Sequence, residues 1–230
     1  MIDITKFMEV FIITNGRESS KYVIKSLEKQ KGVKFNLKII RNKKWLDACN
    51  ECLYNSETPY YLRLDDDMII HHQTVNYFQY LVKKKEVDNG ILYCTKLWEP
   101  WNKRLCNKVK VYNRKLTKEI GFEIDSRGKV DKIFKRKLLE KGYKIIGDKI
   151  SAIGIHAACK ADDNFKYSKL RNETNDPTFE IRRKEIIFLD KVSKKIPVKK
   201  QFEMANKDLY EFNKKTNTLF YKFIDSHGGN

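Results

Sequence analysis

The sequence predicts an α/β fold: a mostly parallel central sheet flanked by helices, with a C-terminal helical extension. Three observations predict it. Glu9-Val10-Phe11-Ile12-Ile13-Thr14 is a near-continuous apolar run, the pattern of a strand buried on both faces. Runs of that kind alternate with helix-period segments as far as Cys94. From about residue 160 the chain turns polar and the strand signal ends. The expected division is residues 1–157 as the sheet domain and 158–230 as a basic, mainly helical extension packed on it.

The elements follow in order. After the first strand, Asn15-Gly16-Arg17 reads as a turn, and Ser19 or Ser20 is placed to cap a helix to about Gln30. Phe35 to Ile40 is the second strand. Residues 45–55 form a helix whose inner face carries Cys49, Cys52 and Leu53. Residues 60–64 are a strand, 74–85 a helix with Val75, Phe78, Leu81 and Val82 inward, and 90–94 another strand. Beyond Trp98 the periodicity loosens, and 99–128 reads as an excursion around the strand ends. Asp131 to Lys141 is a helix closed by Gly142. Tyr143 to Ile146 and Ile150 to Ile155 read as two short strands, and 177–193 and 203–222 as helices. Ligands of such sheets bind outside the carboxyl ends of the strands, where both Thr14-Asn15 and Asp65 to Asp67 fall.

The composition narrows the partners. With 48 basic and 30 acidic residues, the formal net charge is +18. Residues 17–44 carry +8, 102–150 carry +10 and 151–230 carry +5, whereas 45–101 carry −4. A polyanionic partner, nucleic acid or an anionic membrane surface, is expected from this. A lysine-rich composition can also follow from an AT-rich genome. Five irregularly spaced cysteines do not form a disulfide framework, and Cys49 and Cys52 read as buried thiols. No apolar run approaches bilayer length and no signal peptide is apparent, so a cytoplasmic location, with peripheral membrane contact left open, is the default expectation.

Leu64-Asp65-Asp66-Asp67-Met68 is the segment that carries chemistry. Its neighbours Pro59 to Leu62 and Met68 to Ile70 are apolar, so three adjacent carboxylates sit at a buried strand end. Burying such charge requires a positive partner. A divalent cation such as Mg2+ or Mn2+, bound by one or two carboxylates together with phosphate oxygens, meets that requirement. A solvated acidic turn is the plainer alternative.

Four segments, in order, resemble the nucleotide-sugar glycosyltransferases of the GT-A fold, closest to family 2. They are "VFIITNGR" (Val10 to Arg17), "ACNECLYNSETPYYLRLDDDM" (Ala48 to Met68), "VDKIFKRKLLEKGYKI" (Val130 to Ile145) and the strand ending at His156. The resemblance covers about residues 8 to 157 and implies a GT-A catalytic domain. It implies that Asp65 and Asp67 are the D-x-D pair, with Asp67 on the metal and Asp65 on the ribose or on the metal through water. His156 is implied as a further metal ligand. Thr14, Asn15, Arg17, Arg41, Asp65 and Asp66 are implied as the nucleotide-binding set. Asp131 is implied as the general base, although Val130 stands where the family carries Glu. Glu123 and Asp125 are the fallback bases. Arg41 stands where an acidic residue usually meets the nucleobase.

The implied function is metal-dependent transfer of a hexosyl or pentosyl group from a nucleotide-diphosphate sugar to a hydroxyl, with inversion and with Mn2+ or Mg2+ as cofactor. The acceptor is left as a glycan or lipid-linked glycan, or as hydroxylated bases in DNA, a phage-type DNA modification. A non-catalytic nucleic-acid-binding protein and a nucleotidyltransferase are the alternatives. Trp98 and Trp101 could stack on a sugar or base, or pack in the core. Asp131 at a helix start could instead favour the helix dipole. His156 could be a satisfied core histidine, and His71 and His72 are expected to be exposed and without a role.

Overall fold

The computed structural model describes residues 1–85, 90–100, 103–124, 130–157, 187–188 and 191–227. Its elements are β1 (Ile2–Asp3), β2 (Met8–Thr14), α1 (Ser20–Glu28), β3 (Val33–Lys34), β4 (Asn36–Arg41), α2 (Trp45–Asn55), β5 (Tyr60–Asp65) and β6 (Met68–Ile70). They continue with α3 (Thr74–Lys85), β7 (Gly90–Glu99), β8 (Arg104–Asn113), α4 (Arg114–Ile120), α5 (Val130–Glu140), β9 (Lys144–His156), α6 (Val198–Lys215) and α7 (Leu219–Ser226).

The main sheet has seven strands in the order β4-β2-β5-β8-β7-β9-β6. It is mixed, which corrects the expectation of a mostly parallel sheet. The β2–β4, β2–β5 and β7–β9 pairs are parallel, and β5–β8, β7–β8 and β6–β9 are antiparallel. The correction comes from residues 104–113. Instead of wandering around the site, they return as a hairpin strand between β5 and β7. Val109 and Val111 alternate with Lys110 and Tyr112 there, and all four are buried, so the lysine hides a two-residue strand period. Strands β4, β2, β5, β7 and β9 still share one direction. Their carboxyl ends, at Arg41, Thr14, Asp65, Glu99 and His156, therefore lie along one edge of the sheet.

Both faces of the sheet are covered. Met8, Val10 and Ile12 of β2 join Tyr60, Leu62 and Leu64 of β5 in a cluster with α1, α3, α6 and α7. Phe11, Ile13 and Tyr61 face the other way, into a smaller cluster with α2, α4 and α5 that buries Cys49, Cys52 and Leu53. Every residue of β2 is buried, as its unbroken apolar run predicts. Buried Glu9 is met by Lys38 Nζ at 2.8 Å and by the Glu57 amide at 2.8 Å. Cys49, Cys52, Cys94 and Cys106 are free thiols, and Cys159 lies outside the described residues.

The two short strands expected between 143 and 155 are one long strand, β9, which pairs with β7 along its length. Gly154 is needed there. A Cβ at that position would stand 2.5 Å from the Ile69 carbonyl oxygen, so only glycine lets β6 approach in this register. That register places His156 opposite Met68, beside Asp67. The single helix expected over 203–222 is two, because Asn217 takes φ +48° and Thr218 caps α7 by accepting from the Tyr221 amide. Most of the helix expected at 177–193 lies outside the described residues.

Helices α6 and α7 close over β9. The Asn213 side chain accepts from the Ala152 amide at 3.0 Å and donates to the Ala152 carbonyl at 2.7 Å. It thus completes the strand edge just before β6 takes over the pairing. His71 and His72 are not exposed as expected. His71 is 1% exposed and stacks on His72, whose Nδ1 lies 2.8 Å from Asn206 Oδ1 on α6. Trp98 packs against Phe212 of α6, and Trp101 lies outside the described residues.

Candidate active site

The sheet edge gathers three linked groups of charge. The first is centred on Asp66, which is 2% exposed. Its Oδ2 accepts from Thr14 Oγ1 at 2.9 Å and from the Asn15 amide at 3.1 Å. Its Oδ1 accepts from Arg17 Nε at 2.6 Å and from Arg17 Nη2. Because β2 and β5 run parallel with Ile13 beside Asp65, the turn after β2 lands on the aspartate after Asp65. Thr14, Asn15 and Arg17 are therefore drawn together as the sequence suggests, and in this structure all three hold Asp66. Arg41 ends the adjacent edge strand next to Thr14 and is exposed.

The second group lies on the α2/α4/α5 face. Arg63, two residues before Asp65, shares its face, and Lys110 is its cross-strand partner. Both cations converge on Asp131 at the start of α5. Arg63 Nη2 donates to Asp131 Oδ1 at 2.9 Å, and Lys110 Nζ donates to Oδ2. Arg63 is also bounded by Cys49 Sγ at 3.1 Å and by the rings of Trp45 and Tyr112, at 4.8 and 5.2 Å. Burial opposes ionisation of Asp131, but the two cations outweigh it and hold its pKa well below the usual carboxylate range. Of the fallback bases, Glu123 is exposed and paired with Lys137, and Asp125 lies outside the described residues.

Asp65 sits between these groups. Its Oδ1 is buried and has no hydrogen-bond partner among the described residues. Burial pushes its pKa up to about 6; Arg63 and Lys110 pull it down, while Asp67 and Asp131 push it up. Those mutual effects mark the four charges around Asp65 as one electrostatic site.

The third group contains Asp67 and His156. Asp67 Oδ2 lies 3.1 Å from Arg17 Nη2 and 3.4 Å from His156 Nε2. The Ala157 amide donates to the Asp67 carbonyl at 2.6 Å, which ties the aspartate loop to the end of β9. His156 Nδ1 lies 2.9 Å from Glu99 Oε1, and Arg104 Nε donates to Glu99 Oε2 at 2.6 Å. Burial disfavours the His156 imidazolium, but Asp67, Cys106 and Glu99 overcome it and raise its pKa to about 11.

Much of the negative charge is thus met by the protein's own cations. Arg63, Lys110, Glu99 and Arg104 were not singled out from the sequence. One signal was available: Arg63 is a lone basic residue inside the otherwise apolar strand Tyr60-Tyr61-Leu62-Arg63-Leu64.

No protein-family model matches the sequence, and no curated protein matches it. Solved structures do resemble it. S. aureus TarS residues 1–349 superimposes with a TM-score of 0.51 at 13% identity, over 90% of this chain and 83% of that one. The same TarS fragment in complex with UDP-GlcNAc gives 0.51 at 14% identity, over 89% and 81%. TarS itself gives 0.52 at 16% identity, over 79% of this chain and 42% of that chain. The likeness shows a shared fold, GT-A-like as in TarS.

Proposed function

We propose that this protein is a metal-dependent glycosyltransferase that moves a sugar from a nucleotide-diphosphate donor to a hydroxyl acceptor, with inversion. One observation carries the reading. Among the described residues, Asp65 keeps a buried carboxylate oxygen without a hydrogen-bond partner at the edge of the sheet where five strands end. Native proteins seldom leave such an atom unmet, and a cation with its phosphates would satisfy it.

Asp67 and His156 would hold the cation directly, with Asp65 on the ribose or on the metal through water. The 3.4 Å between Asp67 Oδ2 and His156 Nε2 suits two ligands of one ion with bonds of about 2.1 Å. Bound there, Mn2+ or Mg2+ would neutralise charge developing on the diphosphate leaving group. The residues do the rest. Asp66 fixes the turn after β2 and so shapes the floor on which Thr14, Asn15 and Arg41 would meet the nucleotide. Asp131, ionised and held by Arg63 and Lys110, would accept the acceptor's hydroxyl proton as the oxygen bonds to the anomeric carbon and the diphosphate departs from the opposite face.

The acceptor is proposed to be a polyanion. Lys132 and Arg136 stand exposed on α5, the helix that carries Asp131, within the segment of net charge +10. DNA with hydroxylated bases and an anionic glycan both fit. Steep loss of affinity with salt, about 10³-fold for several phosphate contacts, is expected for the DNA acceptor.

Calorimetry with UDP and UDP-GlcNAc, with and without Mn2+, tests the core of the reading. Because TarS is known with UDP-GlcNAc, these are the first ligands to try. Mn2+-dependent binding that disappears in Asp67→Asn is expected. Equal binding by the variant, or nucleic-acid binding with no response to any nucleotide sugar, would overturn it.

A further inference from the structure

We infer that Glu99 is a positioning residue: it holds His156 by Nδ1 so that Nε2 is presented, beside Asp67, to the cation. The inference rests on the metal reading above and extends it to a residue that no motif marks. Parallel pairing places Trp98 beside Ile155, so Glu99 and His156, the next residues on β7 and β9, end their strands side by side. Glu99 is 4% exposed. A carboxylate so buried needs a fixed partner on each oxygen, and it has them. Arg104, its partner across the β7–β8 hairpin, donates to Oε2 at 2.6 Å, and the His156 ring lies at Oε1, 2.9 Å away.

The chemistry follows from the inventory of donors. Glu99 accepts from Arg104 with one oxygen and turns the other, as an acceptor, to the His156 ring. The ring nitrogen facing it must therefore carry a proton. With Nδ1 committed to Glu99, Nε2, the atom 3.4 Å from Asp67 Oδ2, is the nitrogen that would give up its proton and take the cation. Metal-binding histidines commonly donate their second nitrogen to a carboxylate in this way, which fixes the ring and makes it a better ligand. Arg104, Glu99, His156 and Asp67 form one continuous line from the hairpin to the aspartate loop.

The same residues permit a competing arrangement. Ligand atoms of Glu99, Cys106 and His156 lie within 4.8 Å of one another and could hold an ion directly. In that case Glu99 and Cys106 would both be ligands. Cys106 Sγ already faces the Leu97 carbonyl, 3.5 Å away, and Glu99 is already held by Arg104, which favours the positioning role.

The test is the Mn2+ affinity of the UDP-saturated protein, read from the free Mn2+ signal in electron paramagnetic resonance, with urea midpoints to confirm folding. Glu99→Ala should weaken Mn2+ binding about 10- to 100-fold. Glu99→Gln, nearly isosteric, retains an oxygen that accepts from Nδ1 and should recover most of that loss. Glu99→Ala added to His156→Ala should cost nothing further, because the effect runs through the ring. Cys106→Ala should leave Mn2+ affinity unchanged. Wild-type affinity in a folded Glu99 variant, losses that multiply in the double variant, or an equal loss in Cys106→Ala would each overturn the inference while leaving the metal reading intact. Absence of Mn2+ binding by the wild-type protein would overturn both.

Discussion

Asp131→Asn separates the two things Asp131 does. In the structure it is the shared counter-ion of Arg63 and Lys110, whose side chains are 3% and 9% exposed, while its own is 37% exposed. At about 3 Å and an effective dielectric constant near 20, each pairing is worth roughly 5 kcal/mol of gross attraction. Removing one partner of a buried ion pair costs about 3–5 kcal/mol. The amide oxygen of Asn, water at the exposed side of Asp131, and the Cys49, Trp45 and Tyr112 contacts of Arg63 all soften the loss. The expected cost is therefore near the lower end, about 3 kcal/mol. For a chain of this size that lowers Tm by roughly 6–12 °C. Differential scanning fluorimetry measures it directly. Turnover, measured well below the variant's Tm, should fall by about 10²-fold or more if Asp131 is the base. Adding Lys110→Met removes one of the orphaned cations. The double variant should regain part of the stability and none of the turnover. A Tm within 2 °C of wild type in the single variant would refute the counter-ion argument, and restored turnover in the double variant would refute the base assignment.

Two further outcomes are expected. Burial holds the His71 pKa down to about 3, against 6.5 when unfolded, and its Nδ1 accepts from the Gln73 amide at 3.2 Å. The unfolded chain therefore takes up a proton below pH 6.5 that the folded chain refuses, so stability is full above 6.5 and falls with acid, by roughly 2–3 kcal/mol at pH 4.5. Asp65 titrates in the same window with the opposite sign, so the readout is the wild-type urea midpoint minus that of His71→Gln, which should fall from pH 7.5 to 4.5 because only the wild type loses this stability; a constant difference contradicts the reasoning. Asn213→Ala should strand the buried Ala152 amide and carbonyl, costing about 2–4 kcal/mol and lowering Tm by roughly 5–15 °C; a Tm within 2 °C of wild type would mean that β9 does not depend on this cap.

The fold was legible wherever burial and periodicity agree. The apolar run of β2, the inward cysteines of α2 and the Gly142 stop after α5, at φ +76°, all follow from local pattern. Strand β8 was not legible, because Lys110 faces Asp131 rather than water and so breaks the apolar rhythm that marks a buried strand. His71 and His72 were misread for a related reason. Their burial depends on α6 and α7, which arrive more than 120 residues later. The same distance hides the break at Asn217, since a helical pattern runs on through it.

The sequence by itself determined the α/β alternation, the carboxylate cluster at a strand end and the excess of positive charge, because each is written in neighbouring residues. Only the tertiary structure decided which cations answer which carboxylates. Arg17 belongs to Asp66 and reaches Asp67, Arg63 and Lys110 belong to Asp131, and His156 stands between Asp67 and Glu99. Those pairings join residues 49 to 89 positions apart, apart from Lys110 and Asp131, which are 21 apart. They are set by strand order and register, and no local pattern of side chains encodes which strand end will lie beside which.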